Sequence, residues 1–164
     1  MNVSIRRLAD ADIEVLVQLS LLAWEPIFSS FRHILGAEIY DKIYPDWQER
    51  QRAGVEAICK EGGTTAVWVA ESDGVIAGFI AYRLNMEEKT GEVELLAVHP
   101  DYQNMGIGTE LNRFALDQMQ ISGMKLAVVG TGGDPSHAPA RKSYEKAGYT
   151  ALPLVRYYKA LSRQ

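Results

Sequence analysis

The stretch that most constrains this chain is LAVHPDYQNMGIGTEL, Leu96 to Leu111. It begins as an apolar strand, turns at His99-Pro100 and enters a helix whose apolar face is spaced by Ile107, Leu111, Phe114, Ala115 and Met119. Between strand and helix stand Gly106 and Gly108. Glycine allows close backbone approach and positive φ. A helix start leaves N–H groups unpaired and carries the positive end of the dipole. Two glycines at that point therefore predict either a cradle for an anion such as a pyrophosphate, or a tight strand-to-helix turn with no ligand.

The flanking sequence organises around this unit. VSIRRLA reads as a first strand, with Asp10 as the N-cap of a helix whose first turn carries Asp12 and Glu14. Ile13, Leu16, Val17, Ser20 and Ala23 space one face of that helix, which is expected to end near Pro26. Residues 27–61 are aromatic-rich and helical in pattern, closing at ERQRAGVEAICKEGG with a glycine pair. TAVWVAE and VIAGFIAYRLN, joined by SDG, predict a hairpin, and GEVELLAVHP is the next strand. KLAVVG reads as a further strand, HAPARKSYEKAG as a short helix and YTALPLVRYYKAL as one or two final strands. The order predicts an α/β (α+β) fold, a mixed sheet of six to seven strands with helices on both faces, in a single domain over residues 1–164.

Composition works by exclusion. A net charge of −4 gives no basic stripe for nucleic acid. The single cysteine, Cys59, excludes an internal disulfide, and its apolar neighbours favour a buried structural thiol over a nucleophile. The N-terminus lacks an apolar signal region and no run approaches about 18 apolar residues, so a soluble, cytoplasmic chain without a membrane partner is expected. The histidines, His33, His99 and His137, are dispersed, so no metal site is expected. Other glycine motifs fit poorly. The dinucleotide fingerprint needs a third small residue where Leu111 stands, and the Gly-Lys-Ser/Thr of a P-loop is missing. VVGTGGDP superficially suits a methyltransferase cofactor loop, but only about thirty residues follow it.

The run Gln103-Asn104-Met105-Gly106-Ile107-Gly108 resembles the Arg/Gln-x-x-Gly-x-Gly/Ala pyrophosphate loop of the GNAT superfamily of acetyl-coenzyme A-dependent N-acetyltransferases. LLAVHPDYQ before it and SYEKAGY after it are similar to that family in the same order, and the resemblance covers nearly the whole chain. It implies a mostly antiparallel sheet splayed at its fourth strand, and acetyl-CoA as cosubstrate. It also implies acetyl transfer to a primary amine of a small molecule, amino acid or peptide N-terminus. On this resemblance the backbone N–H groups from Gln103 to Thr109 hold the pyrophosphate. Leu96, Ala97 and Val98 would pair with the pantetheine arm, and one of their N–H groups would polarise the thioester carbonyl. Tyr144 would be the acid at the sulfur. The family's Asn-x-x-Ala reads His137-Ala138-Pro139-Ala140 here. His137 and Ala140 are therefore expected at the pantetheine arm, with a base or a plain helix-start residue as alternatives for His137. Asp134 would cap the same helix or face the substrate.

Acetyl transfer to a protonated amine also needs a base. Glu92 and Glu94 alternate along one strand and so share a side of the sheet. By the resemblance, Glu92 falls where histone acetyltransferases carry their catalytic glutamate. If both face the cleft, mutual repulsion and burial would raise one pKa; the alternatives are a solvated face or a cross-strand pair with Arg83. For the acceptor, Trp24, Phe28, Tyr40, Tyr44 and Trp47 are candidates for an aromatic wall and Glu25 for an ammonium contact, with helix packing as the alternative. Tyr149 reads as core. Competing functions are a non-catalytic acetyl-CoA-binding module and a protein lysine acetyltransferase. A homodimer through LVRYYKAL is a further expectation, since an exposed strand edge invites pairing.

Overall fold

The structure, a computed structural model, describes residues 2–161. Five strands lie side by side in chain order: β1 (Val3–Arg7), β2 (Thr65–Ser72), β3 (Val75–Asn85), β4 (Thr90–Val98) and β5 (Leu126–Val129). The first four are antiparallel, and β5 runs parallel to β4 because a helix carries the chain across between them. The β2–β3 turn uses Asp73 and Gly74, both at positive φ (52° and 81°), as a two-residue hairpin with right-handed twist requires.

The sheet is covered on both faces. On one, α1 (Ile13–Ile43) and α2 (Trp47–Glu61) set Leu16, Val17, Leu19, Val55 and Ile58 against Val67, Val69, Phe79 and Ala81. On the other, α3 (Ile107–Ile121) sets Ile107, Leu111, Ala115 and Met119 against Ala70, Ala77, Ile80 and Val93. Central β3 is consequently buried without alternation from Ala77 to Tyr82, as a strand with apolar neighbours on both sides must be. A short α4 (Ala138–Lys146) rests on α3.

Several expectations need correction. The first helix does not end at Pro26 but continues to Ile43, interrupted at Gly36 (φ 76°, ψ 158°). Pro26 is exposed, and the helix there tolerates the missing N–H. Asp10 does not cap it. Asp12 accepts from the Ala9 N–H at 2.8 Å and pairs with Arg6 at 2.7 Å. The turn and helix from Asp10 to Ile43 are long and apolar enough, by length and composition, to cross a membrane, against the expectation from the sequence. In the fold, Leu16, Val17 and Leu19 of that segment are buried on the sheet. Finally, YTALPLVRYYKAL forms no strand. The sheet has five strands rather than six or seven, because the backbone of residues 150–161 makes no backbone hydrogen bond among the described residues.

Candidate active site

Strand β4 runs beside β5 only from Thr90 to Val93. Its register against β3 skips Glu94, passing from Tyr82↔Val93 to Ala81↔Leu95, so a bulge sits at the point where β4 and β5 part. Beyond it, the β5-facing backbone of Leu95–Val98 has no strand partner among the described residues. The parting opens a cleft of about 680 Å³, walled by β4 from Val93 to Val98, the loop into α3, the loop after β5 and one side of α4.

The loop after β4 is pinned by its own hydrogen bonds, among them Tyr102 N–H to the His99 carbonyl at 2.8 Å and Gln103 N–H to the Pro100 carbonyl at 3.3 Å. His99 Nδ1 accepts from Asp101 N–H at 3.2 Å, and Gln103 Nε2 donates back to the Val98 carbonyl at 3.1 Å. Asn104 (φ 63°) and Gly106 (φ 87°) take left-handed conformations, and buried Ile107 anchors the start of α3. A Cβ built on Gly106 would meet nothing within 4 Å, so the space beside its Cα is open. At Gly108 a Cβ would lie in ordinary contact, 3.5 Å from Ser143 Oγ, so this glycine is not forced by crowding. Gln103, Asn104, Gly106, Ile107, Gly108 and Thr109 all line the cleft with Leu96, Ala97 and Val98. Met105 does not; its side chain points out. N–H groups left unpaired at a helix start that borders the cleft fit a diphosphate, and the β4 edge without a strand partner among the described residues fits an extended amide-bearing arm.

Tyr144, on α4, lines the same cleft. Burial, then the neighbouring Tyr149 phenol, push its hydroxyl up to about 12. Tyr149 is half-buried, its ring edge-on to Tyr144 at 5.9 Å, and burial raises it too. The helix carrying Tyr144 is positioned by a residue that sequence reading missed. Asn112 of α3 is fully buried and donates through Nδ2 to Ser143 Oγ at 3.0 Å. A polar residue on an otherwise apolar helix face was the available signal.

The two glutamates do not meet in the cleft. Glu94 reaches its edge but is held by Arg83 at 2.8 Å, and Arg83 also holds Glu61 at 2.7 Å. Glu92 is exposed, outside the cleft and opposite Arg83. The cross-strand ion pair, not a pair of buried carboxylates, is what forms.

His137 is inside the cleft. Its Nδ1 is bonded to Asp134 Oδ1, and its ring stacks on Phe31 at 5.7 Å. The Asp134 carboxylate also accepts from Ser30 of α1 at 2.9 Å and from the Ser136 N–H at 3.2 Å. Burial alone would raise this carboxyl. Hydrogen bonds from Ser136, His137 and Ser30, with the charge of His137, outweigh it and bring the group to about 2. Arg141 donates to the carbonyls of Gly132 and Asp134 at 2.7 and 2.8 Å, locking the loop. Gly132 has no room for a side chain: a Cβ would come within 2.5 Å of both Asp134 Oδ1 and His137 Nδ1. Asp134 therefore orients His137 as well as beginning the turn before α4. The Asp-x-x-His spacing was visible in the sequence, but Ser30 and Arg141 were not foreseen as its supports. Ala140 lines the cleft beside His137.

On the acceptor side only Trp24 of the proposed residues reaches the cleft, with Ala23, Pro26 and Ile27. Glu25 is exposed outside it. Phe28 stacks on Trp47 at 4.4 Å and meets Tyr44 at 5.3 Å and Phe31 at 5.8 Å, so most of the supposed aromatic wall is inter-helix packing. Cys59 is half-buried, and burial pushes its thiol up to about 11, opposite to the lowered values of an activated thiolate.

Residues 25–149 match the Acetyltransferase (GNAT) family. A mycothiol acetyltransferase of Streptomyces coelicolor is 33% identical over 82 residues, 50% of this chain and 26% of that protein. The match to that relative thus spans about a quarter of its length. The S-(2-succino)cysteine N-acetyltransferase of Bacillus subtilis is 26% identical over 149 residues, 88% of this chain and 82% of that protein. Among solved structures, a GNAT family acetyltransferase from Brucella melitensis in complex with acetyl-CoA shares the fold at a TM-score of 0.63 and 22% identity, over 92% of this chain and 84% of that one.

Proposed function

The chain belongs to the GNAT acetyltransferase family, and from that premise we infer that it transfers acetyl from acetyl-CoA to a primary amine admitted to the β4–β5 cleft. The acceptor class is a small molecule, an amino acid or a peptide N-terminus. One observation carries the reading. The loop at Gly106, the β4 edge past the bulge, the protonated Tyr144 phenol and the Asp134–His137 pair all border one cleft.

Acetyl-CoA, when bound, supplies an acyl carbon activated as a thioester. The amides from Asn104 to Thr109 would hold its diphosphate, and the β4 edge at Leu96–Val98 would align the arm and polarise the carbonyl. Glu94, tied to Arg83 at the rim, is poorly placed as base. His137 is better placed. With Nδ1 taken by Asp134, its Nε2 is the nitrogen free to accept the amine proton, and ionised Asp134 stabilises the imidazolium that results. Tyr144 serves the departing sulfur. A phenol near 12 facing a thiolate whose ordinary pKa is about 8.5 would give up its proton only at a cost of roughly 5 kcal/mol. Tyr144 therefore acts chiefly by donating a hydrogen bond to sulfur.

Calorimetric titration of the protein with acetyl-CoA and with coenzyme A tests the reading, followed by thiol-release assays across amines. Saturable binding and amine-dependent thiol release are expected. Binding without release for any amine would replace the enzyme by a cofactor-sensing module, and no binding would remove the cofactor site.

A further inference from the structure

Helix α4 carries Tyr144, yet apolar packing does little to fix where it sits. None of its nine residues is buried. At its start, Arg141 ties it to the loop carbonyls of Gly132 and Asp134. Next to Tyr144 the tie to α3 is also polar. Asn112, wholly buried beside Leu111 and Ala115 on α3, donates through Nδ2 to Ser143 Oγ at 3.0 Å. The Thr109 hydroxyl stands 3.5 Å from the same oxygen. Thr109, Ser143 and Tyr144 all border the cleft.

For stability this joint is a poor choice. Asn112 Oδ1 is buried with no hydrogen-bond partner among the described residues. One hydrogen bond to a hydroxyl gains less than a buried, unpaired amide group loses, and turning the amide over only exchanges which group is left out. A leucine has the same branching and neither polar group. What the polar joint supplies is direction: a hydrogen bond fixes distance and angle, whereas an apolar contact has no preferred direction and can slide. We propose that Asn112 is a positioning residue for acetyl transfer, acting through Ser143 to set α4 on α3 so that the Tyr144 hydroxyl meets the sulfur. Ser143 and Tyr144 are consecutive on one helix, so a slip at the first carries the second with it. Displacement of a positioned group by about 1 Å can cost about 100-fold in rate. Thr109 brings the first turn of α3 to the same hydroxyl, so the turn that would hold the diphosphate and the helix that carries the phenol share one fixed point. The inference rests on the acetyl-transfer reading and on the role of Tyr144 within it.

The test pairs Asn112→Leu with the double variant Asn112→Leu/Ser143→Ala, in which the smaller alanine makes room for the leucine. Both should melt no lower than wild type and bind acetyl-CoA within about twofold in calorimetry, while kcat by thiol release falls about tenfold, at most what Tyr144→Phe loses. In a Tyr144→Phe background the same changes should cost less than about twofold, because the group they position is gone. A packing role would not produce that non-additivity. Wild-type kcat in the double variant overturns the proposal, and so does a loss that persists in full beside Tyr144→Phe. Melting of both variants well below wild type would assign the joint to stability and overturn it too. A wild-type protein without acetyl-CoA binding, or without amine-dependent thiol release, removes the acetyl-transfer reading instead. Hydrogen exchange keeps the two failures apart. The amides of residues 138–146 should exchange about tenfold faster in the double variant than in wild type, and equal protection overturns the joint's hold on α4 whatever the turnover.

Discussion

At Tyr144 the burial that raises the phenol also limits what it can do. If it acts by a hydrogen bond to sulfur, Tyr144→Phe should lower kcat by about 10- to 100-fold, toward the lower end of general-acid effects, and leave the Kd for coenzyme A within about twofold. Rapid-quench or thiol-release kinetics beside calorimetry would check both; an unchanged kcat removes the role. His137 and Glu94 separate by their pH profiles. His137→Gln should lose about 100-fold or more in kcat/KM, together with the limb of the pH–rate profile that reports protonation of the base. Glu94→Gln should retain that limb and most of the rate, and the reverse pattern would restore the glutamate. Tyr144 was legible because SYEKAGY fixes its place on a short helix. Glu92 and Glu94 were less legible, because strand alternation says that two side chains share a side, not what waits there. Arg83, opposite on β3 and already holding Glu61, draws Glu94 into an ion pair at the rim.

Among elements, the loop into α3 was the most readable, since glycines at a helix start after an apolar strand leave few conformations open. The two glycines nevertheless differ in their demands. Gly106 sits at φ 87°, where an L-residue pays roughly 1–2 kcal/mol in conformation. Its substituent would also stand at the cleft wall. Gly106→Val should therefore weaken coenzyme A binding by 100-fold or more, whereas Gly108→Ala, whose methyl meets Ser143 and Val98 at 3.5 and 3.6 Å, should cost less than about tenfold. Equal losses in calorimetry would mean the loop acts as a simple turn. Two elements were misread for a common reason: local pattern cannot see partners. Pro26 signals a helix end, yet a solvent-facing proline is accommodated and the break comes at Gly36. The apolar stretch Leu152–Leu161 has strand composition, but nothing within the described chain completes its hydrogen bonds.

Across the whole molecule, Asp134 links three otherwise separate parts: Ser30 on α1, the loop after β5, and His137 at the head of α4. No periodicity in the sequence announces that link, because its members lie more than a hundred positions apart and meet only once both layers have formed on the sheet. Its contribution to stability has a definite pH signature. The carboxyl is held at about 2 in the fold against 3.8 when free. Stabilisation is thus fully present above about pH 4 and is lost as pH falls through the folded-state value near 2. Other carboxylates in ion pairs, Asp12 with Arg6 among them, also favour acid unfolding, so the wild-type curve alone is not diagnostic. The difference between wild type and Asp134→Asn is. Urea unfolding at pH 7 should find the variant less stable by about 1–2 kcal/mol, and the gap should close between pH 4 and pH 2 as the wild-type carboxylate is protonated. A gap that stays constant over that range would mean that Asp134 contributes through shape and neutral hydrogen bonds. The charge available to hold an imidazolium at His137 would then be smaller than the mechanism requires.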